Sequence, residues 1–245
     1  MGKFGVKEIC DVTLYSISTG KPVLYLDSLK MSTVDVAGDM VYATGGKGNN
    51  RLIGWDHSRV VTFNLQDALL DTTTLGKQVG TDKVTGTTTI HKREVLTAVD
   101  NAGIKITLTS TPLAGTMSFF LQNADGTMGD EVTGVENAGV VTFAAGVIAG
   151  DEVAAFYQYT SGATAELITL NSNTFPGYFK IVGDTFIRNH YTKADEAFQI
   201  VIEKAKIGSS FSVTIEAEGD PSVFDIPLEV FKPSDGTEMI KFIKY

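Results

Sequence analysis

Apolar residues in this chain recur mostly with a period of two, and turn signals interrupt them before any run reaches the length of an ordinary helix. Ile104, Ile106 and Leu108 alternate with Lys105, Thr107 and Thr109, and Val213 and Ile215 alternate with Thr214 and Glu216. Successive side chains of an extended chain point to opposite faces, so this spacing produces one apolar and one wet face, the pattern of a half-buried strand. Val140 to Ala145 and Val153 to Tyr159 are nearly continuous apolar runs, and their turn-bounded length is that of strands covered on both faces. Asn101-Ala102-Gly103, Asp125-Gly126, Asn137-Ala138-Gly139, Ala149-Gly150-Asp151 and Gly219-Asp220-Pro221 supply the turns. With 25 glycines and 6 prolines in 245 residues, and abundant Thr and Val, the chain reads as all-β, built from many short strands.

One short helix is expected after a strand from Trp55 to Phe63. Asn64 would be its N-cap, Asp67 the acid of its first turn, and Leu65, Ala68 and Leu69 its apolar stripe. Lys193 to Ala197 offers only a polar turn before a strand from Phe198 to Ile202. Composition changes near Ala102. From there to Gly162 the chain is rich in Gly, Ala, Thr and Val with regularly spaced hairpin signals, which reads as an inserted immunoglobulin-like β-sandwich of five or six strands over residues 102–162. Residues 1–101 and 163–245 would then form one discontinuous domain, a β-sandwich or barrel core carrying the helix.

The formal net charge of −9 opposes nucleic-acid binding by phosphate neutralisation, which needs clustered Lys and Arg. An acidic surface remains compatible with a wall that DNA slides past without sticking, because like charge removes the electrostatic part of non-specific affinity. Cys10 is the single cysteine, so no intrachain disulfide is possible and folding in a reducing cytoplasm is expected. The N-terminal MGKFGVKEICDV has no apolar run of signal-peptide length, and Val6 stands where an acylated Met-Gly terminus carries Ser or Thr. No stretch approaches membrane-spanning length. These readings lead to an expectation of a soluble chain with no membrane partner.

No constellation carries catalytic chemistry, and no cofactor or metal site is expected. Gly45, Gly46 and Gly48 around Lys47 invite a phosphate cradle, but Asn49, Asn50 and Arg51 lead on into a strand and not into the helix that such a cradle requires. A flexible or interface-forming loop is the better reading. Asn123, Asp125, Gly126 and Asp130 lack the alternating ligands and closing Glu of a calcium loop and read as a hairpin turn. His57, His91 and His190 are scattered, and Asp56 beside His57 would point to the opposite face of a strand. Pairs such as Asp130 with Glu131, or Glu216 with Glu218, are solvated turn or strand positions, and no Gly-x-Ser-x-Gly elbow is present. Trp55, the only tryptophan, lies among Leu52, Ile53 and Val60 and reads as a core or interface anchor before a ligand-stacking ring. Asp220 to Asp225 reads as a tight turn into an edge strand that tolerates Pro227.

Together, the segment from Gly45 to Asp56, the turn Asp67-Ala68-Leu69-Leu70, the segment from Phe175-Pro176-Gly177 to Asp184-Thr185, and the turn Glu218-Gly219-Asp220-Pro221 resemble a tail tube (major tail) protein of a tailed bacteriophage. The resemblance covers most of the chain and rests on structural signatures. It implies a β-sandwich or barrel with a short helix, homohexameric rings stacked into a hollow tube, and DNA passing through without sequence-specific binding. It also implies a virion location after assembly in host cytoplasm, with a tail sheath, tail terminator and baseplate or tail-tip proteins as partners. No catalytic residue comes with it, and the inserted segment would be an outward decoration or a sheath contact. A ring needs a heterologous interface in which different faces of one subunit meet. Val41 to Arg51 and Ile187 to Ala197 are the candidate assembly loops, with Gly45, Gly46, Gly48, Arg51, Trp55 and Arg188 as candidate loop or anchor residues. The alternative is a monomeric virion decoration protein or carbohydrate-binding β module.

Overall fold

The computed structural model describes residues 3–6, 8–213 and 223–245, and it is all-β with one helix among those residues, Thr72–Val79. The strand expected at 213–216, apart from Val213, and the turn at 218–221 lie outside the described residues. The chain divides into two compact units, Met1–Lys83 with Ile168–Tyr245, and Val84–Leu167. The compositional change at Ala102 thus falls inside the second unit. Thr89–Thr97, a strand with none of the Gly and Ala enrichment that follows it, already pairs along its whole length with Glu152–Thr160.

In the first unit one antiparallel sheet runs in the order Pro22–Leu26, Asp11–Ser16, Tyr178–Asn189, Asp195–Ile207, Phe224–Val230, Asn50–Asp67, Leu29–Gly45. Phe4–Val6 adds to Tyr178–Asn189 beyond the end of Asp11–Ser16, and Ile240–Lys244 adds to Asp195–Ile207 beyond the end of Phe224–Val230. The strands at the two ends of this order are separated in the chain by Asp27 and Ser28 alone, so the sheet must curl until its ends meet. Ala68 N–H donates to the Ser28 carbonyl at 3.1 Å, and the Ser28 hydroxyl donates to buried Asp67, which pins that closure. Leu14, Leu26, Phe63, Leu65, Ile181, Ile202, Ile226 and Leu228 fill the inside and are almost wholly buried. Each contributes about 1.5–3 kcal/mol by leaving water.

The helix lies further along the chain than Asn64, because Val61, Phe63, Leu65 and Asp67 are buried alternately and pair with Phe224–Val230, which makes Asn64 to Asp67 strand. The helix starts at Asp71, whose carboxylate accepts from Thr73 N–H at 2.5 Å and Thr74 N–H at 2.8 Å. It stops at Gly80, which takes the left-handed conformation (φ 78°) against Phe175 and Pro176, too close for any Cβ. Burial works to raise the Asp71 pKa, but the hydrogen bonds from Thr74 and Thr73 outweigh it and hold the carboxyl below the ordinary Asp range.

The second unit is a sandwich of two four-stranded sheets. One runs Met128–Val132, Ser118–Gln122, Glu152–Thr160, Thr89–Thr97, and the other Gly134–Asn137, Val140–Phe143, Ile104–Thr107, Val99–Asp100. Read from Val99, the second sheet has the A-B-E-D order of an immunoglobulin sandwich. The first sheet places C′, C and F beside one another, with Thr89–Thr97 in the position that a last strand G would hold. Phe119 and Phe143 meet edge to face across the two sheets, ring centres 5.7 Å apart. Val140–Phe143 is half-buried, its alternate residues Val141 and Phe143 facing the core, which corrects the reading of that run as covered on both faces.

Candidate functional site

Leu29–Gly45 and Asn50–Asp67 form a hairpin of two parts. At its base, Val61 to Asp67 pair with Phe224–Val230 as well as with the partner strand, and their alternate side chains enter the core. Beyond Val60 the two strands pair only with each other among the described residues. Nine residues of rise, from Ala37 to Gly45, make this arm roughly 30 Å long. Every residue from Asn50 to Val60 is exposed.

A bulge at the root of the arm decides which side chains share a face. Ala37 pairs with Val60, but Asp39 pairs with His57, so Ser58 and Arg59 stand opposite Gly38 alone. Ser58 adopts a positive φ of 52°, and its hydroxyl lies 2.7 Å from His57 Nδ1. One extra residue reverses the alternation. Trp55 and Ile53, in phase with the core residues Val61 and Phe63 by number, are carried to the other side, opposite Val41 and Ala43. The face continuous with the core bears Val36, Met40 and Tyr42, where Met40 and Tyr42 lie over Gly54 and the Arg51 guanidinium sits 3.9 Å above the Tyr42 ring, while a second bulge at Ala43 and Thr44 leaves Leu52 beside Gly45, on the side of Val41 and Ala43. Both faces of the arm are therefore apolar and both are bare: Met40 is 47% exposed on one and Trp55 55% on the other. Strands apolar on both sides normally lie inside a structure, a lone two-stranded ribbon is marginal in water, and exposed apolar patches of this kind mark interaction surfaces.

The stretch expected to be a loop, Val41 to Arg51, is mostly strand. Gly45 ends the first strand, Gly46 (φ 79°), Lys47, Gly48 (φ 90°) and Asn49 (φ 50°) form a four-residue turn, and Arg51 is the second residue of the returning strand. Ile187 to Ala197 is likewise two strand ends joined by a short turn. Arg188 and Asp195 face each other across it in a bidentate pair, both contacts at 2.6 Å. The structure brings Gly45, Gly46, Gly48, Arg51 and Trp55 together on the arm and leaves Arg188 in a separate hairpin. Trp55 is outside the core, which removes one of its two readings. Val36 and Met40, apolar residues of the arm's first strand, escaped the sequence reading. The Gly- and Asn-rich turn between two β-prone segments was the signal for a hairpin.

His57 and Asp56 face opposite sides of the arm, paired with Asp39 and Met40 respectively. The Asp125 carboxylate accepts from Thr127 N–H and hydroxyl at 3.0 and 2.6 Å, closing a turn with Gly126 at φ 81°. A site built of strand edges and apolar side chains, with no convergent acids and bases, can hold another chain.

A curled antiparallel sheet with an unsupported apolar arm is the form of a subunit. The family model for the YomU/Tube protein family matches residues 4–244, and the chain belongs to that family. This agrees with its resemblance to a bacteriophage tail tube protein and makes it a structural component of a virion tail. No curated protein matches the chain.

Proposed function

We propose that this protein assembles with copies of itself into closed six-membered rings, the number its resemblance implies, and that the rings stack into the tube through which DNA leaves the virion. The arm is the observation that carries this reading. Its two apolar faces and its unpaired strand edges call for partner surfaces on more than one side, which successive copies in a ring or stack supply. The net charge of −9 favours a bore that repels phosphate and lets DNA pass. In this reading the protein works as a conduit without turnover, and tail terminator, baseplate or tail-tip, and sheath proteins meet the ends and outside of the tube. Sedimentation across a concentration series tests it. The expected result is a shift from monomer to large, discrete particles as concentration rises, whereas a monomer at every concentration would favour a decoration or glycan-binding module.

A further inference from the structure

The outer part of the arm carries cations without anions, and among the described residues a cleft elsewhere on the first unit carries an excess of anions. From Val41 to Trp55 the chain contains Lys47 and Arg51 and no Asp or Glu. Neither residue has an ion-pair partner among the described residues. On the outer face of the sheet a cleft of about 680 Å³ is lined by Glu8, Asp11 and Asp184 together with Phe186, Ala197 and Tyr245. Its one cation, Arg188, is engaged by Asp195. Asp11 and Asp184 stand directly opposite each other across two antiparallel strands. Like charges in that position are destabilising, and the neighbours that reach them are the neutral Tyr25 hydroxyl and Gln199 amide. Asp11 foremost, then burial, Asp27 and Asp184 push the Tyr25 pKa upward, a sign of concentrated negative potential at this spot. The floor is apolar, with Phe186 58% exposed. A cleft of this volume holds a ligand-sized group, such as the tip of a hairpin, and not a folded domain.

The register places the two features at the same end of the sheet. Val61 pairs with Val230, which pairs with Ala205. Arg51 precedes Val61 by as many residues as Asp195 precedes Ala205, and the two strands run in the same direction. A copy stacked end to end would offer the arm the opposite end of its sheet. A copy placed beside it offers the cleft at the level of the arm tip.

Building on the self-assembly reading above, we propose that the arm tip of one copy seats in the acidic cleft of the copy beside it, Lys47 and Arg51 against Asp11 and Asp184, with apolar arm side chains against Phe186 and Tyr245. The contact is heterologous, so repeated around an axis it closes a ring.

Charge reversal tests the pairing. Lys47→Glu with Arg51→Glu, and separately Asp11→Lys with Asp184→Lys, should each raise the concentration needed for assembly about a hundredfold, since opposed like charges at an interface cost several kcal/mol. All four substitutions in one chain should bring it back to within about tenfold of the unmodified protein. Circular dichroism melting checks each fold, and Asp184→Lys alone, which turns the Asp11 repulsion into an ion pair, serves if the double cleft variant unfolds. Normal assembly of the cleft variants, or no recovery in the fourfold variant, would overturn the pairing while leaving self-assembly intact. An unmodified chain that never assembles would remove the self-assembly reading, and this pairing with it.

Discussion

Replacing Trp55 with Ala separates assembly from folding. Trp buries up to about 250 Å² when fully covered, and Trp55 is 55% exposed in the isolated chain, so a neighbour that covers the ring removes about 140 Å² from water. At about 25 cal/mol per Å² this contributes roughly 3 kcal/mol to each contact, which corresponds to about a hundredfold or more in the concentration at which rings form. Within the chain the ring does much less. It stands opposite Val41 on the bare arm, a cross-strand pair worth under about 1 kcal/mol. Trp55→Ala should therefore unfold at nearly the same temperature as the unmodified protein while its assembly curve, followed by light scattering or sedimentation, moves about two decades to higher concentration. An unmoved curve would refute the assignment of Trp55 to an interface. A loss of stability of about 3–5 kcal/mol, the scale of an emptied aromatic core position, would refute its place outside the core.

Asp71→Ala should lower stability by about 1 kcal/mol through loss of the helix cap. Because hydrogen bonding depresses the Asp71 pKa in the folded chain, that contribution is fully present above the unfolded value near 3.9 and is lost as pH falls through the folded one. Denaturant titrations of the two proteins should differ at pH 7, with the gap closing as the pH falls below about 3.9. In the second unit Glu94 accepts from the buried Tyr157 hydroxyl at 2.7 Å and from Thr109 N–H at 3.0 Å. Burial works to raise its pKa, and hydrogen bonds from Thr109, Tyr157 and Lys92 hold it lower than usual. Glu94→Ala, which leaves the Tyr157 hydroxyl without its acceptor, should cost about 1–3 kcal/mol at neutral pH, with the gap from the unmodified protein narrowing below about pH 4 in urea unfolding followed by tyrosine fluorescence.

The strands were legible wherever burial on one face imposed alternation, as at Ile104 to Leu108, and hairpins wherever the turn chemistry was strong, as at Asp125-Gly126. The helix was not. Thr72–Val79 contains three threonines and a glycine, all poor helix formers, so its only signals were the caps Asp71 and Gly80. Asn64 and Asp67 imitate such a cap, and pairing with Phe224–Val230 overrides it. The arm was half legible. Its Gly-rich turn and lone Trp stood out, but the side on which Trp55 lies depends on a bulge formed by Ser58 in a positive-φ conformation, which serine does not announce. The opposition of Asp11 and Asp184 arises from the register of two strands far apart in the chain, and no local pattern encodes it.

The most direct test of the central claim is negative-stain electron microscopy of the purified protein across a concentration series. Closed rings, and stacked tubes at the higher concentrations, are the expected result. Uniform small particles at every concentration would contradict self-assembly through the arm.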